Sequence, residues 1–201
     1  RPGLSFEASS LGGFTTRPVA DSVRKADVLA MLVPDESAAE IFRRDMLPWL
    51  HDGQTIVFAH GFNIHYGQIV PPPNVDVVMV APKGVGPQVR RLFLEDSGVA
   101  SLIAVHQDVT GSAKQMALAF AKGIGSARSV IMESTFADET ETDLFGEQTV
   151  ICGGVNHLIK AAYDTLVAAG YEPEMAYYEC MHELKLVVDL LYEGGFTKMH
   201  N

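Results

Sequence analysis

Asp27-Val-Leu-Ala-Met-Leu-Val33 is a continuous apolar run that ends abruptly at Pro34-Asp35. Strands that are buried on both faces of a parallel sheet have this composition, whereas strands with one solvent-facing side alternate polar and apolar residues. Further runs of the same kind follow along the chain at 55–59, 76–81, 101–105 and 128–133. The stretch therefore predicts a buried strand, and its recurrence predicts a sheet built from such strands.

Segments with helical periodicity separate these runs. Helices are predicted over 37–50, 87–95 and 112–124, with a short one over 19–25. Residues 1–16 are rich in Gly, Ser and Thr and are predicted to form a loop that leads into a short element. Because strands and helices alternate, we expect crossover connections and a mainly parallel sheet.

The pattern changes near residue 135, beyond which short β-branched runs no longer occur. Residues 143–169 and 173–193 are predicted as helices, since they end at Gly170 and at Gly194-Gly195, where glycine commonly terminates a helix. We therefore predict two domains, an α/β domain over 1–134 and an all-α domain over 135–201.

The composition excludes several classes of protein. The chain has 201 residues, of which 47% are hydrophobic, so it is long and apolar enough to bury a core. A net charge of −10 argues against binding to nucleic acid, and no apolar run reaches the roughly 18 residues that a membrane span needs. Cys152 and Cys180 lack the spacing of a zinc site and are too few for a disulfide scaffold, so we expect a protein of the reducing cytoplasm.

Two pairs of carboxylates are spaced four residues apart in the helical part: Asp143 with Glu147, and Glu179 with Glu183. Such residues lie on one face of a helix, where like charges oppose the helix by roughly 0.2–0.5 kcal/mol per pair. Four carboxylates from two helices supply the oxygen ligands that hard divalent cations prefer. Each pair alone also fits a solvated helix face, so the spacing leaves both interpretations open.

Polar residues follow each predicted strand, and ligands of open parallel sheets bind beyond the carboxyl ends of the strands. Asp35-Glu36-Ser37 follows the first strand, His60 follows the second and Lys83 follows the third. A His and a Lys at adjacent strand ends can act as acid, base or electrostatic groups. A His at a strand end is also often a structural hydrogen-bonding residue, so the position alone does not decide its role.

The amino-terminal segment has part of a dinucleotide site. Arg1 with Ser5, Ser9 and Ser10 has the composition of a site for the 2′-phosphate of NADP. No G-x-G-x-x-G motif occurs in the sequence, and a dinucleotide fold without that glycine turn is incomplete. We therefore expect a chain that lacks the strand, loop and helix preceding residue 1.

Five motifs together resemble ketol-acid reductoisomerase (acetohydroxy acid isomeroreductase) of the short-chain class. They are His60-Gly-Phe-Asn-Ile-His65, Val80-Ala-Pro-Lys-Gly84, Glu141-Thr-Asp-Leu-Phe-Gly-Glu-Gln148, Cys152-Gly-Gly154 and His182-Glu-Leu-Lys185. The resemblance spans nearly the whole chain. It implies a Rossmann-type parallel sheet domain whose first βαβ unit is missing, followed by a helical, knotted domain, and a homodimer or higher homo-oligomer.

The same resemblance implies the reaction and the roles of individual residues. The reaction would be a Mg²⁺-dependent alkyl migration and an NADPH reduction of 2-acetolactate or 2-aceto-2-hydroxybutyrate in branched-chain amino-acid biosynthesis. Carried over by motif, Asp143 and Glu147 would bind two Mg²⁺ ions, with Glu179 and Glu183 completing the site from the partner subunit. The catalytic residues would be His60 and Lys83. The cofactor would be bound by Arg1, Ser5, Asp35, Glu36, Ser37, Ala38 and Gly86.

The sequence departs from the family pattern at three places. Leu4 and Phe6 stand where the family usually shows two further Ser, so both NADPH and NADH stay open as the cofactor. The glycine-rich motif would precede residue 1, and the Ser that contacts substrate would follow Asn201, so we expect a fragment lacking both ends. Two alternatives therefore stay open: a non-catalytic dimerisation or regulatory module of the same fold, and a metal-independent dehydrogenase of the 3-hydroxyacid type.

Overall fold

A computed structural model describes residues 4–199 of the chain. The strands are β1 Val28–Met31, β2 Thr55–Phe58, β3 Asp76–Pro82, β4 Ser101–Gln107 and β5 Ile131–Glu133. The helices are α1 Leu4–Leu11, α2 Val19–Val23, α3 Asp35–Ile41, α4 Phe62–His65, α5 Gly86–Leu94, α6 Ala113–Gly123, α7 Phe136–Gly146, α8 Gly154–Ala168, α9 Pro173–Tyr177 and α10 Glu183–Met199. The chain divides into two compact units, Arg1–Glu141 and Thr142–Asn201.

The strands form one sheet in the order β1-β2-β3-β4-β5. The pairs β1–β2, β2–β3 and β4–β5 are parallel, which confirms the predicted mainly parallel α/β sheet. Strand β3 lies in the middle and is buried on both faces. Val77, Met79 and Ala81 pack into one core cluster, and Val78 and Val80 pack into the other, against the small side chains of α6. The uninterrupted apolar composition of the strand follows from this double burial.

The β3–β4 pair is antiparallel, which differs from the crossover expected at this point. Pro82 at the end of β3 pairs with Ser101 at the start of β4, and the Lys83 N–H donates to the carbonyl of Ala100 at 2.8 Å. The chain therefore turns back beside β3 in a long hairpin that contains α5. A strand–helix–strand pattern is common to a crossover and to such a hairpin, so the pattern alone does not separate them.

The amino-terminal segment also differs from the prediction, because residues 4–11 form helix α1 rather than a loop. Its composition, with three Ser in eight residues, is poor for a helix, and this explains the wrong prediction. The predicted helix over 37–50 begins instead at Asp35 and continues through a π-helical turn at Phe42–Met46 and a 3₁₀ turn at Leu47–Trp49.

The second unit is helical, as predicted, but its helices are interrupted. π-Helical turns lie at Glu147–Ile151, between α7 and α8, and at Tyr178–His182, between α9 and α10. The predicted stop at Gly194-Gly195 is instead a kink within α10, where Gly195 has a φ of 62°. Among the described residues of this unit, only Ala176 is a buried hydrophobic residue.

No helix among residues 4–199 combines the length and the apolarity that a membrane crossing requires.

Candidate active site

The site is built at the ends of two neighbouring parallel strands. Strand β2 ends at Phe58 and leads through Ala59 to His60, while β3 ends at Pro82 and leads directly to Lys83. Because these strands are paired in parallel, both ends lie at the same edge of the sheet. The two residues that were predicted as catalytic are therefore brought together.

A third residue, Glu139 of α7, joins them. One carboxylate oxygen of Glu139 lies 2.7 Å from Lys83 Nζ, and the other lies 3.0 Å from His60 Nδ1. The second oxygen also accepts the Gly61 N–H at 2.9 Å. The Glu139 side chain is only 1% exposed, whereas those of His60 and Lys83 are 21% and 33% exposed. A buried anion therefore holds two partly exposed basic side chains at the sheet edge.

The surroundings of Glu139 determine its charge. Burial acts to raise the pKa of Glu139, but hydrogen bonds from His60, Lys83 and the Gly61 N–H, with the charge of Lys83, outweigh it and lower the pKa below the ordinary value of 4.5. Glu139 is therefore ionised at neutral pH. An ionised carboxylate only accepts hydrogen bonds, so His60 carries a proton on Nδ1, and in the neutral ring Nε2 is left as the acceptor.

Gly61 allows α7 to come this close to the end of β2. A Cβ atom at Gly61 would lie 2.4 Å from Thr140 Oγ1 and 2.6 Å from the carbonyl oxygen of Phe136. Both distances are far below van der Waals contact, so a side chain would push the helix away from the strand end. The absence of a side chain at this position places the Gly61 N–H within reach of Glu139.

Glu139 was not singled out from the sequence, although a signal was present. It lies four residues before Asp143 and eight before Glu147, so the three acidic residues share a spacing of four. On a regular helix this spacing puts successive side chains on nearly the same face. Only the two later members of the series were considered as a pair.

Three of the four predicted metal ligands lie in or beside the irregular helical turns, and the fourth, Asp143, lies on α7. Asp143 is half-buried on α7, and Glu147 is half-buried at the first position of a π-helical turn. Glu179 lies in the second π-helical turn of this unit and Glu183 directly after it, and both are exposed. Turns of this kind occur frequently at functional sites.

These carboxylates are not gathered into one cluster by a single chain. Within residues 4–199, none of Glu147, Glu179 and Glu183 belongs to a group of three or more His, Cys, Asp or Glu side chains whose ligand atoms lie within 4.8 Å of one another. The assignment of a four-carboxylate metal site, completed by a partner subunit, therefore stays a prediction.

Four of the residues predicted to bind the cofactor lie in the first turn of α3, which follows β1. Asp35 and Ala38 line a cavity of about 210 Å³ together with His60, and the Ser37 hydroxyl donates to the carbonyl of Pro34 at 3.0 Å. Glu36 lines a second cavity of about 610 Å³, to which Asp35 also contributes. The first turn of α3 therefore contributes to two cavities.

The other predicted cofactor residues lie on two further segments. Gly86 begins α5 and lines a cavity of about 670 Å³, together with Gly84 and Arg90. The backbone of Ser5 lies in α1, whereas Arg1 lies outside the described residues. The structure thus does not test the predicted 2′-phosphate site.

Two family models match the chain. Residues 2–130 match the NADPH-binding domain of acetohydroxy acid isomeroreductase, and residues 136–201 match the C-terminal domain of ketol-acid reductoisomerase. A solved NADH-preferring ketol-acid reductoisomerase from an uncultured archean is 45% identical, with a TM-score of 0.96 over 98% of this chain. This chain spans 60% of the length of that relative.

More distant structures share the fold alone. A semialdehyde dehydrogenase NAD-binding protein from Cupriavidus necator, in complex with calcium and NAD, is 17% identical. It gives a TM-score of 0.72, with 93% of this chain and 70% of that chain covered. Pyrroline carboxylate reductase from Plasmodium falciparum, with NADP bound, is 18% identical and gives a TM-score of 0.54, with 90% and 63% covered. Since the two family models together cover nearly all of the sequence, the chain belongs to the ketol-acid reductoisomerase family.

Proposed function

We propose that the protein is a working ketol-acid reductoisomerase of the cytoplasm. It would convert 2-acetolactate and 2-aceto-2-hydroxybutyrate into 2,3-dihydroxy acids for branched-chain amino-acid biosynthesis. The observation that carries this proposal is the buried Glu139 carboxylate, which pairs with both His60 and Lys83 at the edge of a Rossmann-type sheet. The cluster offers a base and a cation to a ligand, because the side chains of His60 and Lys83 remain 21% and 33% exposed at this edge.

The three side chains suit the first half of such a reaction. Migration of an alkyl group between adjacent carbons needs a deprotonated hydroxyl on one carbon and a polarised ketone on the other. With Nδ1–H held by Glu139, the neutral His60 ring would accept the hydroxyl proton at Nε2, and the Glu139 charge would stabilise the resulting imidazolium. The Lys83 ammonium would stabilise the negative charge that develops on the substrate oxygens.

The donor set of the second unit fits Mg²⁺. Asp143 and Glu147 offer hard carboxylate oxygens from adjacent turns, and neither is fully buried, so both remain within reach of an ion. Bound there, Mg²⁺ would act as a Lewis acid on the chelating oxygens of the substrate. Asp143 and Glu147 would hold the ions on one chain, and Glu179 and Glu183 would complete the site from a second chain.

A nicotinamide dinucleotide would supply the hydride for the second half of the reaction. The first turn of α3, with Asp35, Ser37 and Ala38, and the start of α5 at Gly86 would hold it beside His60. The family model is that of an NADPH-binding domain, while the relative that is 45% identical prefers NADH. We therefore propose that the enzyme uses either dinucleotide, and both belong in the assay.

A homo-oligomer is part of the proposal. Large apolar side chains of the second unit are exposed on the chain, among them Leu158 at 69%, Tyr192 at 92% and Phe196 at 76%. So many exposed apolar side chains in one unit are typical of a surface that a partner covers. A second copy would cover these helices and bring its own Glu179 and Glu183 to the metal site. Sedimentation of the full-length protein is expected to give a dimer or a larger assembly, and a monomer at micromolar concentration would contradict this.

The first test is Mg²⁺-dependent oxidation of NADPH or NADH by the full-length protein, with 2-acetolactate as substrate. Turnover is expected with Mg²⁺ and is expected to stop when a chelator is added. Turnover that is insensitive to the chelator would favour a metal-independent dehydrogenase. Binding of the dinucleotide without any turnover would favour a non-catalytic module.

Substitution of Asp143 tests whether this residue binds Mg²⁺, as distinct from an effect that the loss of any acidic residue would produce. Asp143→Asn is expected to weaken Mg²⁺ binding, measured by calorimetry, because a neutral amide oxygen replaces a charged ligand. Asp164→Asn is the matched control, since Asp164 is an exposed helical residue of the same unit that pairs with Lys160. An unchanged Mg²⁺ isotherm for Asp143→Asn would overturn the metal assignment.

A further inference from the structure

Asn63 connects the two turns that line the smaller cavity. It lies on α4, three residues after His60, and is 2% exposed. Its Nδ2 donates to Asp35 Oδ1 at 2.8 Å and approaches the Asp35 carbonyl oxygen at 3.3 Å. Its own carbonyl oxygen accepts the Ile69 N–H at 2.9 Å, which fixes the backbone of Asn63. The turn after β1 is therefore tied to the helix that follows β2.

The oxygen of the Asn63 amide makes no comparable hydrogen bond within the described part of the chain. Asn63 Oδ1 is buried and finds no hydrogen-bond donor among the described residues. A buried acceptor without a donor is unfavourable, and a side chain that served only to fill space would be better apolar. The amide is therefore best explained by its N–H groups, whose hydrogen bonds within residues 4–199 go to Asp35.

The hydrogen bond between Asn63 and Asp35 bears on the proposed positions of both the cofactor and the substrate. The cavity of about 210 Å³ is lined by Asp35 and Ala38 of α3, by His60 after β2 and by Asn63 of α4. The α3 turn is where the dinucleotide is proposed to lie, and His60 is proposed to act on the substrate. The separation of the α3 turn from His60 would therefore affect how closely a bound dinucleotide approaches the substrate.

We propose that Asn63 is a positioning residue. It holds the Asp35 turn in register with His60, so that a nicotinamide dinucleotide bound at the turn lies at a reactive distance from the substrate. This inference rests on the proposed function, because it assigns the cavity to that cofactor. Asn63 acts through Asp35 and contacts no reacting atom in this role.

Asn74 provides a matched control. Its Nδ2 donates to Asp52 Oδ1 at 2.6 Å, and its Oδ1 is likewise buried without a hydrogen-bond donor among the described residues. The pair therefore reproduces the Asn–Asp link of Asn63. It lies before the first residues of β2 and β3, at the opposite end of these strands from His60.

The test compares Asn63→Leu with Asn74→Leu in the full-length protein. Calorimetry measures the Kd of NADH and of NADPH in the absence of substrate, and thermal unfolding measures stability. Asn63→Leu is expected to raise the Kd on the order of tenfold, because a turn that is no longer held in place must be ordered when the cofactor binds. Asn74→Leu is expected to leave the Kd unchanged. With 2-acetolactate present, kcat of Asn63→Leu is expected to fall on the order of tenfold, because misplacement of the cofactor slows hydride transfer.

A charge-swapped pair provides a rescue. Asn63→Asp places two carboxylates side by side and is expected to weaken cofactor binding at least as much as Asn63→Leu. Adding Asp35→Asn restores a hydrogen bond between the two side chains with donor and acceptor exchanged, and it is expected to recover part of the affinity. If Asn63→Leu fails to fold, this pair carries the test.

The outcomes separate the two proposals. Wild-type protein that binds neither NADH nor NADPH would overturn the proposed function. Wild-type protein that binds the dinucleotide, with Asn63→Leu binding it equally well, would overturn the role of Asn63 and leave the proposed function intact. An equal loss of affinity in Asn63→Leu and Asn74→Leu would reduce Asn63 to a residue that supports the fold.

Discussion

Replacement of Glu139 by Gln is the most direct test of the site, because it keeps the size of the side chain and removes the charge. The carboxylate receives three hydrogen bonds at 2.7, 2.9 and 3.0 Å. A Gln side chain keeps only one oxygen to accept these hydrogen bonds. Its amide nitrogen is itself a donor and would face one of the three donors without accepting its hydrogen bond. The variant thus loses at least one bond to a charged group and leaves a donor unpaired.

The magnitude follows from the contacts. A hydrogen bond to a charged group contributes about 1.5–3 kcal/mol, and breaking a fully buried ion pair costs about 3–5 kcal/mol. Lys83 and His60 are partly exposed, so water can solvate them once the anion is gone, and the lower range applies. We expect Glu139→Gln to lower the free energy of unfolding by about 2–3 kcal/mol, or roughly 5–10 °C in Tm for a chain of this size.

Dependence on pH identifies the source of this loss. The pKa of Glu139 is lowered in the folded protein, so its ionised form stabilises the fold above the ordinary value of 4.5. That contribution disappears as the pH falls through the lower, folded pKa. Urea denaturation is therefore expected to show the full difference between wild type and Glu139→Gln at pH 7 and a shrinking difference at and below pH 4.

Glu141→Gln is the control for this experiment. Glu141 lies two residues further along α7, is 65% exposed and approaches His65 Nε2 at 3.3 Å. A surface pair of this kind contributes about 0–1 kcal/mol, so at pH 7 the control is expected to change stability by less than Glu139→Gln. A difference between wild type and Glu139→Gln that stays constant from pH 7 to pH 3 would refute the reasoning, because it could not come from the charge.

Two further predictions concern stability. Gly61→Ala is expected to lower the free energy of unfolding by about 1–3 kcal/mol or more, since its Cβ would overlap Thr140 and Phe136. Gly146→Ala, on a helix with open space around it, is expected to raise the free energy of unfolding by about 0.5–1 kcal/mol. Thermal unfolding of the two variants decides this, and equal effects would contradict the close approach at Gly61. Gln54→Leu is expected to lower the free energy of unfolding by about 2–3 kcal/mol. The buried Gln54 amide donates to the carbonyl oxygens of residues 23 and 26, each at 2.7 Å, and both acceptors would lose their donor. Chemical denaturation checks this, and a neutral result would mean that water replaces the amide.

The central strands could be predicted from composition because they are buried on both faces. Val77 and Val78 point to opposite cores, so no polar residue is tolerated at either position, and the run is uniformly apolar. The direction of β4 could not be predicted in the same way. It depends on how the 83–100 segment folds back, and the pairing of Pro82 with Ser101 is a long-range contact with no local signal.

The meeting of His60 and Lys83 at one edge of the sheet could be predicted because strand ends are marked by sequence, as at His60-Gly61 and at Lys83. The role of Glu139 could not, because it depends on the approach of α7 to the end of β2, across a separation of 78 residues between Gly61 and Glu139. The local sequence shows only one more acidic residue on an acidic helix. The π-helical turns could not be predicted from the sequence either. One of them depends on Gly153-Gly154, because a Cβ at either position would lie 2.0 Å from a carbonyl oxygen of the preceding turn.

The hydrogen bond from Gly61 to Glu139 makes one backbone amide a reporter for the whole site. That N–H donates to a buried anion, and an adjacent negative charge retards the hydroxide-catalysed removal of an amide proton. The exchange of this single proton with deuterium, followed by nuclear magnetic resonance, would therefore be slow while α7 is docked and Glu139 is ionised. At constant pH the exchange would accelerate when α7 moves away or when Glu139 is replaced by Gln, so the state of this edge of the sheet could be followed in solution without substrate, metal or cofactor.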